Sequence, residues 1–174
     1  MKAVVVYQSR YGHTQRYAQA IACQLGCPLM TFTEAQRQDL TEFSHLIYGA
    51  PVYLGKFKGG DFLKKHLDKQ LWIFAVGLSL PDSPHYEEVL KLSVAPEVQS
   101  HARFYPMHGG MNFPQLSWSH KILMFGIKKH RFDKVDLSQQ DETFKQMMAN
   151  YYQSFDFYEA SRVKELDEKI QAEV

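Results

Sequence analysis

Short unbroken apolar runs alternate along this chain with stretches of helical period. Lys2–Tyr7, built on Val4-Val5-Val6, predicts a first strand. Thr14–Leu25 then places Tyr17, Ala18, Ile21, Ala22 and Leu25 on one helical face, and Gly26 suits a C-terminal cap. Pro28–Thr33 predicts a weaker second strand, His45–Gly49 a third around Leu46-Ile47-Tyr48, Leu71–Val76 a fourth and Arg103–His108 a fifth. Helices are predicted over Asp61–Asp68, His85–Leu92, Asp141–Tyr152 and Glu159–Glu173. Strands that alternate with helices imply a doubly wound α/β fold, a parallel sheet with helices on both faces. Runs such as Trp72-Ile73-Phe74-Ala75-Val76 suit strands buried on both sides. In such sheets ligands bind beyond the carboxyl ends of the strands. The residues after each strand therefore carry the chemistry.

After the first strand comes Ser9-Arg10-Tyr11-Gly12-His13-Thr14, directly before the first helix. A helix N-terminus offers unpaired N–H groups and partial positive charge, so this loop suits an anion. Ser9 and Thr14 add hydroxyls, and Gly12 lets backbone approach closely. The plain alternative is a strand–turn–helix with ordinary Ser/Thr caps, and spacing alone does not separate the two.

Ser9-x-x-Gly12-x-Thr14 after an N-terminal strand resembles the flavodoxin phosphate loop, with Tyr11 where the usual loop has Thr. The resemblance runs over roughly the whole chain and is strongest to the subgroup containing bacterial menaquinone-dependent protoporphyrinogen dehydrogenases. It implies a five-stranded flavodoxin-like sheet and non-covalent FMN, with the phosphate held by Ser9, Arg10, Tyr11, Gly12, His13 and Thr14. It places a second FMN loop at Ala50-Pro51-Val52-Tyr53-Leu54-Gly55, where Tyr53 and Leu54 offer surface to an isoalloxazine ring. A third falls at Gly77-Leu78-Ser79, more apolar than usual, with Asp82 and Tyr86 as stand-ins for the customary acid and ring stacker. Gly109-Gly110 matches a small-residue turn of the subgroup, and His108 beside it is either a donor to flavin or substrate or a structural histidine.

Composition narrows the picture. A chain of 174 residues, 45% hydrophobic and 14% aromatic, fits one domain with a real core. Its formal charge of +1 gives no global pull toward nucleic acid. It also argues against a dedicated flavodoxin shuttle, which is usually strongly acidic. Cys23 and Cys27 are read as reduced structural thiols, and the histidines complete no metal pattern. Met1-Lys2-Ala3 runs into a core strand without a signal-like segment, and no apolar run approaches the roughly 20 residues of a membrane span. A cytoplasmic protein is expected, with peripheral contact at the inner membrane face as an option.

One segment stands out. In Phe113–Val135, Lys121, Lys128, Lys129, Arg131 and Lys134 against Asp133 leave a local charge of +4 among many aromatic and aliphatic residues. Ordinary flavodoxins lack this insertion, and the protoporphyrinogen dehydrogenase subgroup has a comparable one. It reads as a lid or interfacial helix at the approach to the flavin, serving an anionic aromatic or quinone substrate, or as a core helix with a solvated basic end.

Receiver, low-molecular-weight phosphatase and nucleoside triphosphatase readings fail for want of an acidic first loop, a first-loop Cys and a Gly-Lys-Ser/Thr motif. Two serious readings remain, beside a weaker third, a degenerate flavodoxin fold that binds a partner and no flavin. One is an FMN oxidoreductase moving electrons between an organic substrate and a quinone-like acceptor. The other is a flavodoxin-type carrier serving a redox protein partner. No residue is singled out as a general acid or base.

Overall fold

The computed structural model describes residues 2–140 and 142–173. Five parallel strands form the central sheet in the order β2-β1-β3-β4-β5: β1 Ala3–Tyr7, β2 Leu29–Thr31, β3 His45–Pro51, β4 Gln70–Gly77 and β5 Arg103–His108. The expected flavodoxin-like sheet is present, with helices on both faces.

Alternation along each strand divides the core. Val5, Ile47, Trp72, Phe74 and Met107 face α1 (His13–Leu25) and α8 (Ala160–Ala172), which contribute Tyr17, Ala18, Ile21, Val163, Leu166 and Ile170. Val4, Val6, Leu46, Tyr48, Ile73 and Ala75 face the other layer. There α3 (Gly60–Lys64) supplies Phe62 and Leu63, α4 (His85–Ser93) Tyr86 and Val89, and α5 (Pro96–His101) Val98. β4 is buried along all but its first residue, so its continuous apolar run is filled from both sides.

Helix ends follow their sequence signals. Gly26 closes α1 with φ +60°, its N–H reaching Cys23 O, while Cys27 N–H reaches Ala22 O. Cys23 and Cys27 are free thiols, and burial raises the Cys27 pKa.

The second strand is shorter than its apolar pattern suggests. Thr31 ends it by capping α2 (Phe32–Ala35): Glu34 N–H donates to Thr31 Oγ1, and Thr31 N–H donates to the Glu34 carboxylate at 2.7 Å. α5 arises where the sequence reading has no element, with Pro96 in its first turn. The helix expected over Asp61–Asp68 closes early, at Lys64.

The chain forms two compact units, 1–109 with 158–174, and Gly110–Phe157. The second contains the basic insertion and reaches beyond it. β6 (Gly110–Asn112) pairs antiparallel with β7 (Ser154–Asp156), Met111 opposite Phe155. Between them lie α6 (Trp118–Ile127), a π-helical turn at Lys128–Phe132, and α7 (Glu142–Ala149). α7 begins one residue after Asp141, the predicted start, which lies outside the described residues. Tyr151 is the centre of this unit. It is buried, its hydroxyl donates to Met124 O at 2.9 Å, and Phe113, Phe132 and Tyr152 surround its ring.

Candidate functional site

At the end of β1, Gln8 N–H donates to Gly49 O at 2.8 Å, extending the ladder one residue past the strand. Its side-chain amide donates to the Tyr48 hydroxyl at 2.6 Å, which donates on to Lys58 O at 2.7 Å. Burial pushes the Tyr48 phenol well above its ordinary pKa, so it stays a neutral clamp. Gly49 has no room for a Cβ, because the Phe74 ring fills that space. The first and second loops therefore leave the sheet from a tightly fixed base.

Ser9 Oγ accepts the Gly12 N–H at 3.1 Å, and Gly12 caps α1 with φ +92°. Nothing lies within 4 Å of where its Cβ would stand, so glycine is required here for backbone conformation and not for space. α1 has 13 residues and no acid in its first turn, so its N-terminal partial charge is not opposed from within the turn. Arg10 is exposed and lies 5.7 Å from the Tyr11 ring centre.

Thr14 belongs to the buried face of α1. It is only 1% exposed, because it shares the inward face of α1 with Tyr17, Ala18 and Ile21, at spacings of three, four and seven residues. Ser9, Tyr11, Gly12 and His13 reach the surface of the loop, whereas Thr14 lies beneath it.

The second loop is a two-residue turn. Tyr53 N–H donates to Lys56 O at 2.8 Å and Lys56 N–H to Tyr53 O at 3.1 Å. The central residues both have positive φ, Leu54 at +51° and Gly55 at +77°, which is the type I′ pattern. Leucine is a poor residue for that conformation, and Leu54 is the one described non-glycine residue to adopt it. The turn presents Leu54 at 68% and Tyr53 at 40% exposure. Burial of its oxygen raises the Tyr53 pKa, the neighbouring Tyr11 adds to the rise and the Arg10 charge opposes it. Because β1 and β3 are neighbours in the sheet, loops one and two leave it side by side. Ala50 is buried at the end of β3, and Val52 N–H donates to Val76 O at 2.8 Å.

In the third loop, Gly77 is buried and Leu78 and Ser79 are half-buried. Tyr86, the stand-in for a ring stacker, lies in the core. It is 3% exposed, packs near Phe104, and its hydroxyl donates to Ser79 O at 3.2 Å. Asp82 is 95% exposed, with Arg162 3.9 Å away.

At the end of β5, Gly109 N–H donates to Gly77 O at 2.8 Å. Gly109 packs on Val76, where a Cβ would stand 2.9 Å from its Cγ1. Gly110 is the first residue of β6. His108 is buried, its Nδ1 3.8 Å from the Glu159 carboxylate. Glu159 escaped the sequence reading because its partner is set by the chain's return after residue 157.

Four loops thus leave the carboxyl ends of β1, β3, β4 and β5, and two of them expose an anion-suited helix start beside an aromatic–aliphatic turn. A cavity of about 380 Å³ between α2 and α3, with Phe32, Gln36, Asp61 and Lys65 among its walls, shares no residue with these loops.

A family model described as Flavodoxin domain matches residues 4–138. Among solved structures, the chain is similar to a WrbA-like flavodoxin from Agrobacterium tumefaciens, 26% identical over 52% of this chain and 68% of that one, TM-score 0.42. It is also similar to flavodoxin 2 from Bacillus cereus, at 19% identity over 62% and 84% of the two chains, TM-score 0.42. Trp repressor binding protein from Bacillus subtilis is 15% identical over 78% and 99%, TM-score 0.45. No curated protein matches the chain.

Proposed function

The chain belongs to the flavodoxin family, and from that premise we propose that it is an FMN-dependent oxidoreductase of protoporphyrinogen dehydrogenase type, passing electrons from a reduced organic substrate to a quinone-like acceptor. The observation that carries the reading is the pairing of two loops. The start of α1, opened by Gly12, lies next to a type I′ turn that holds Tyr53 and Leu54 in solvent. An anionic tail and a planar aromatic body have distinct and adjacent places in that arrangement.

The residues fit FMN in kind. The α1 N-terminus, with the Ser9 hydroxyl and Arg10, suits a phosphate. Tyr53 and Leu54 suit the ring, and the backbone of Gly77-Leu78-Ser79 is close enough in the sheet to border it. FMN when bound supplies the electron chemistry, two electrons and two protons taken from the donor and delivered to the quinone in each cycle. The chain contributes position and surroundings. Tyr48 and Gln8 fix the bases of the two loops, and the apolar third loop places no carboxylate between residues 77 and 81. A near-neutral total charge and the basic aromatic insertion favour an enzyme over an acidic carrier.

The test has two stages. FMN and riboflavin are titrated into the purified protein, and the FMN complex is then mixed anaerobically with protoporphyrinogen or a simpler reduced aromatic donor, followed by a water-soluble menaquinone analogue. FMN should bind at least tenfold more tightly than riboflavin, the donor should bleach the flavin, and the quinone should restore its colour. Equal affinity for both flavins would remove the phosphate placement. A bound flavin that exchanges electrons only with reductase proteins would replace the enzyme with a carrier.

A further inference from the structure

The second unit carries an exposed apolar stripe on one helix. Trp118, Ile122 and Phe125 on α6 are 76%, 61% and 54% exposed. Spacings of four and three residues put them within a narrow arc of one helical face. Lys129, also exposed, follows just beyond the helix, and Lys121 flanks the stripe. From Gly110 to Phe132 the sequence contains no Asp or Glu.

The cations divide into two kinds. Lys128 is used internally: its Nζ is 2.6 Å from Asp133 and lies over the Tyr152 ring at 5.4 Å. Lys121, Lys129 and Lys134 have no carboxylate within 4 Å among the described residues. The unit thus neutralises the cation beside its aromatic cluster and leaves those around the stripe unneutralised.

We infer that this stripe is a docking surface for an anionic lipid bilayer, with α6 lying in the plane of the headgroups. Three features select that occupant. A tryptophan, a phenylalanine and an isoleucine on one face with lysines beside them are the arrangement of an interfacial helix. Ten residues make about 15 Å of helix, half of a hydrocarbon core, so α6 lies on a bilayer and does not cross it. Unneutralised lysines complement lipid phosphates, whereas a symmetric contact with a second copy would set Lys121 and Lys129 against their own like.

The protein reports its own docking. It has two tryptophans, Trp72 in the core and Trp118 on the stripe, so a change in emission on binding comes from Trp118. The whole protein is titrated, with and without FMN, with vesicles of phosphatidylcholine alone and of phosphatidylcholine mixed with phosphatidylglycerol. The anionic vesicles should shift the emission to the blue and carry the protein down on sedimentation, and added salt should reverse both. The double change Lys121→Gln and Lys129→Gln should weaken partition roughly 25-fold, about fivefold for each charge. Trp118→Ser, at an exposed position without a core role, should weaken it by about tenfold while leaving the melting temperature unchanged. Equal binding to neutral vesicles, or none to anionic ones, overturns the inference. A dimer in solution that Phe125→Ser dissolves also overturns it and assigns the stripe to a second copy. No arm measures turnover or flavin affinity, so this inference and the flavin reading stand or fall separately.

Discussion

The Tyr17 hydroxyl donates to the His108 carbonyl oxygen at 2.7 Å, joining α1 to the last residue of β5 across 91 positions of sequence. The Tyr17 hydroxyl oxygen in turn accepts the Glu159 N–H at 2.9 Å. The Tyr17 ring packs on Tyr158, 4.6 Å between centres, and the Arg16 guanidinium covers the outer face of Tyr158 at 3.8 Å. The chain returning after residue 157 is therefore clipped to the first helix through one phenol, ahead of the apolar contacts of α8.

Replacing Tyr17 by Phe keeps the ring and removes both hydrogen bonds in a buried place. The expected loss is about 2–3 kcal/mol in a urea unfolding measurement. Amide exchange should rise first in residues 159–163, where the helix begins. A variant as stable as its parent would show that α8 is held by its apolar face alone.

Leu54 is the reverse case, a residue that costs stability where it stands. Leu54→Gly should raise the unfolding free energy by about 1 kcal/mol, because φ +51° burdens leucine and suits glycine, and because a side chain 68% exposed gives up little packing. If the turn borders a flavin, the same variant should alter the fluorescence and potential of bound FMN. A neutral or destabilising outcome would mean that the native conformation of the turn carries no strain.

Gly12→Ala isolates the backbone of the Ser9–Thr14 loop. No atom lies within 4 Å of the added methyl, so the cost is that of φ +92° alone, about 1–2 kcal/mol. A strained or reshaped loop should lower FMN affinity more than riboflavin affinity. Ser9→Ala should act in the same direction by removing a hydroxyl donor for a phosphate together with the anchor of the Gly12 N–H. Thr14→Ala should instead act mainly on stability, because Thr14 lies under the loop. A larger change in the FMN-to-riboflavin ratio for Thr14→Ala than for Ser9→Ala would reverse that ordering.

The sheet was legible because strands buried on both faces leave continuous apolar runs, and β1, β3 and β4 have them, whereas β5 at the sheet edge mixes Arg103, Pro106 and His108 into its run. Other features were written in the sequence in quieter signals. Thr31 and Glu34 spell the capping box of α2, Pro96 marks the start of α5, and the spacing of Thr14 to Tyr17, Ala18 and Ile21 already places it inside. The positive φ of Leu54 had no such signal. Leucine disfavours it, and the hydrogen bonds on either side, Val52 to Val76 and Tyr53 to Lys56, accompany it. Nor was the β6–β7 pair visible, since two three-residue strands meet across more than forty residues and no local pattern encodes their partner. The loop after β1 stood out by motif, but which of its hydroxyls faces outward was decided by helix phase.

His45 gives the last prediction, and its sign follows from burial. It opens β3 at 8% exposure, with Nδ1 hydrogen-bonded to Ser44 Oγ at 2.9 Å and Nε2 buried without a partner. Burial lowers its pKa below the ordinary 6.5, outweighing the nearby Glu173 carboxylate, which acts to raise it. The folded chain therefore resists a proton that the unfolded chain accepts. Above pH 6.5 both states hold neutral His45 and its contribution is full. As pH falls from there through the folded pKa, the unfolded state gains a proton first and stability declines, by at most about 1.4 kcal/mol per pH unit. Lowered carboxylates such as Glu34, Asp68 and Glu165 lose their contributions only at more acid pH, below their ordinary range. His45→Phe removes the titrating group and the unpaired nitrogen together. Urea unfolding between about pH 5 and 8 should show a shallower acid slope for the variant, with no loss of stability at the alkaline end. An unchanged slope would assign the acid sensitivity to another histidine, and a large loss at pH 8 would show that Nε2 is bonded in the native state.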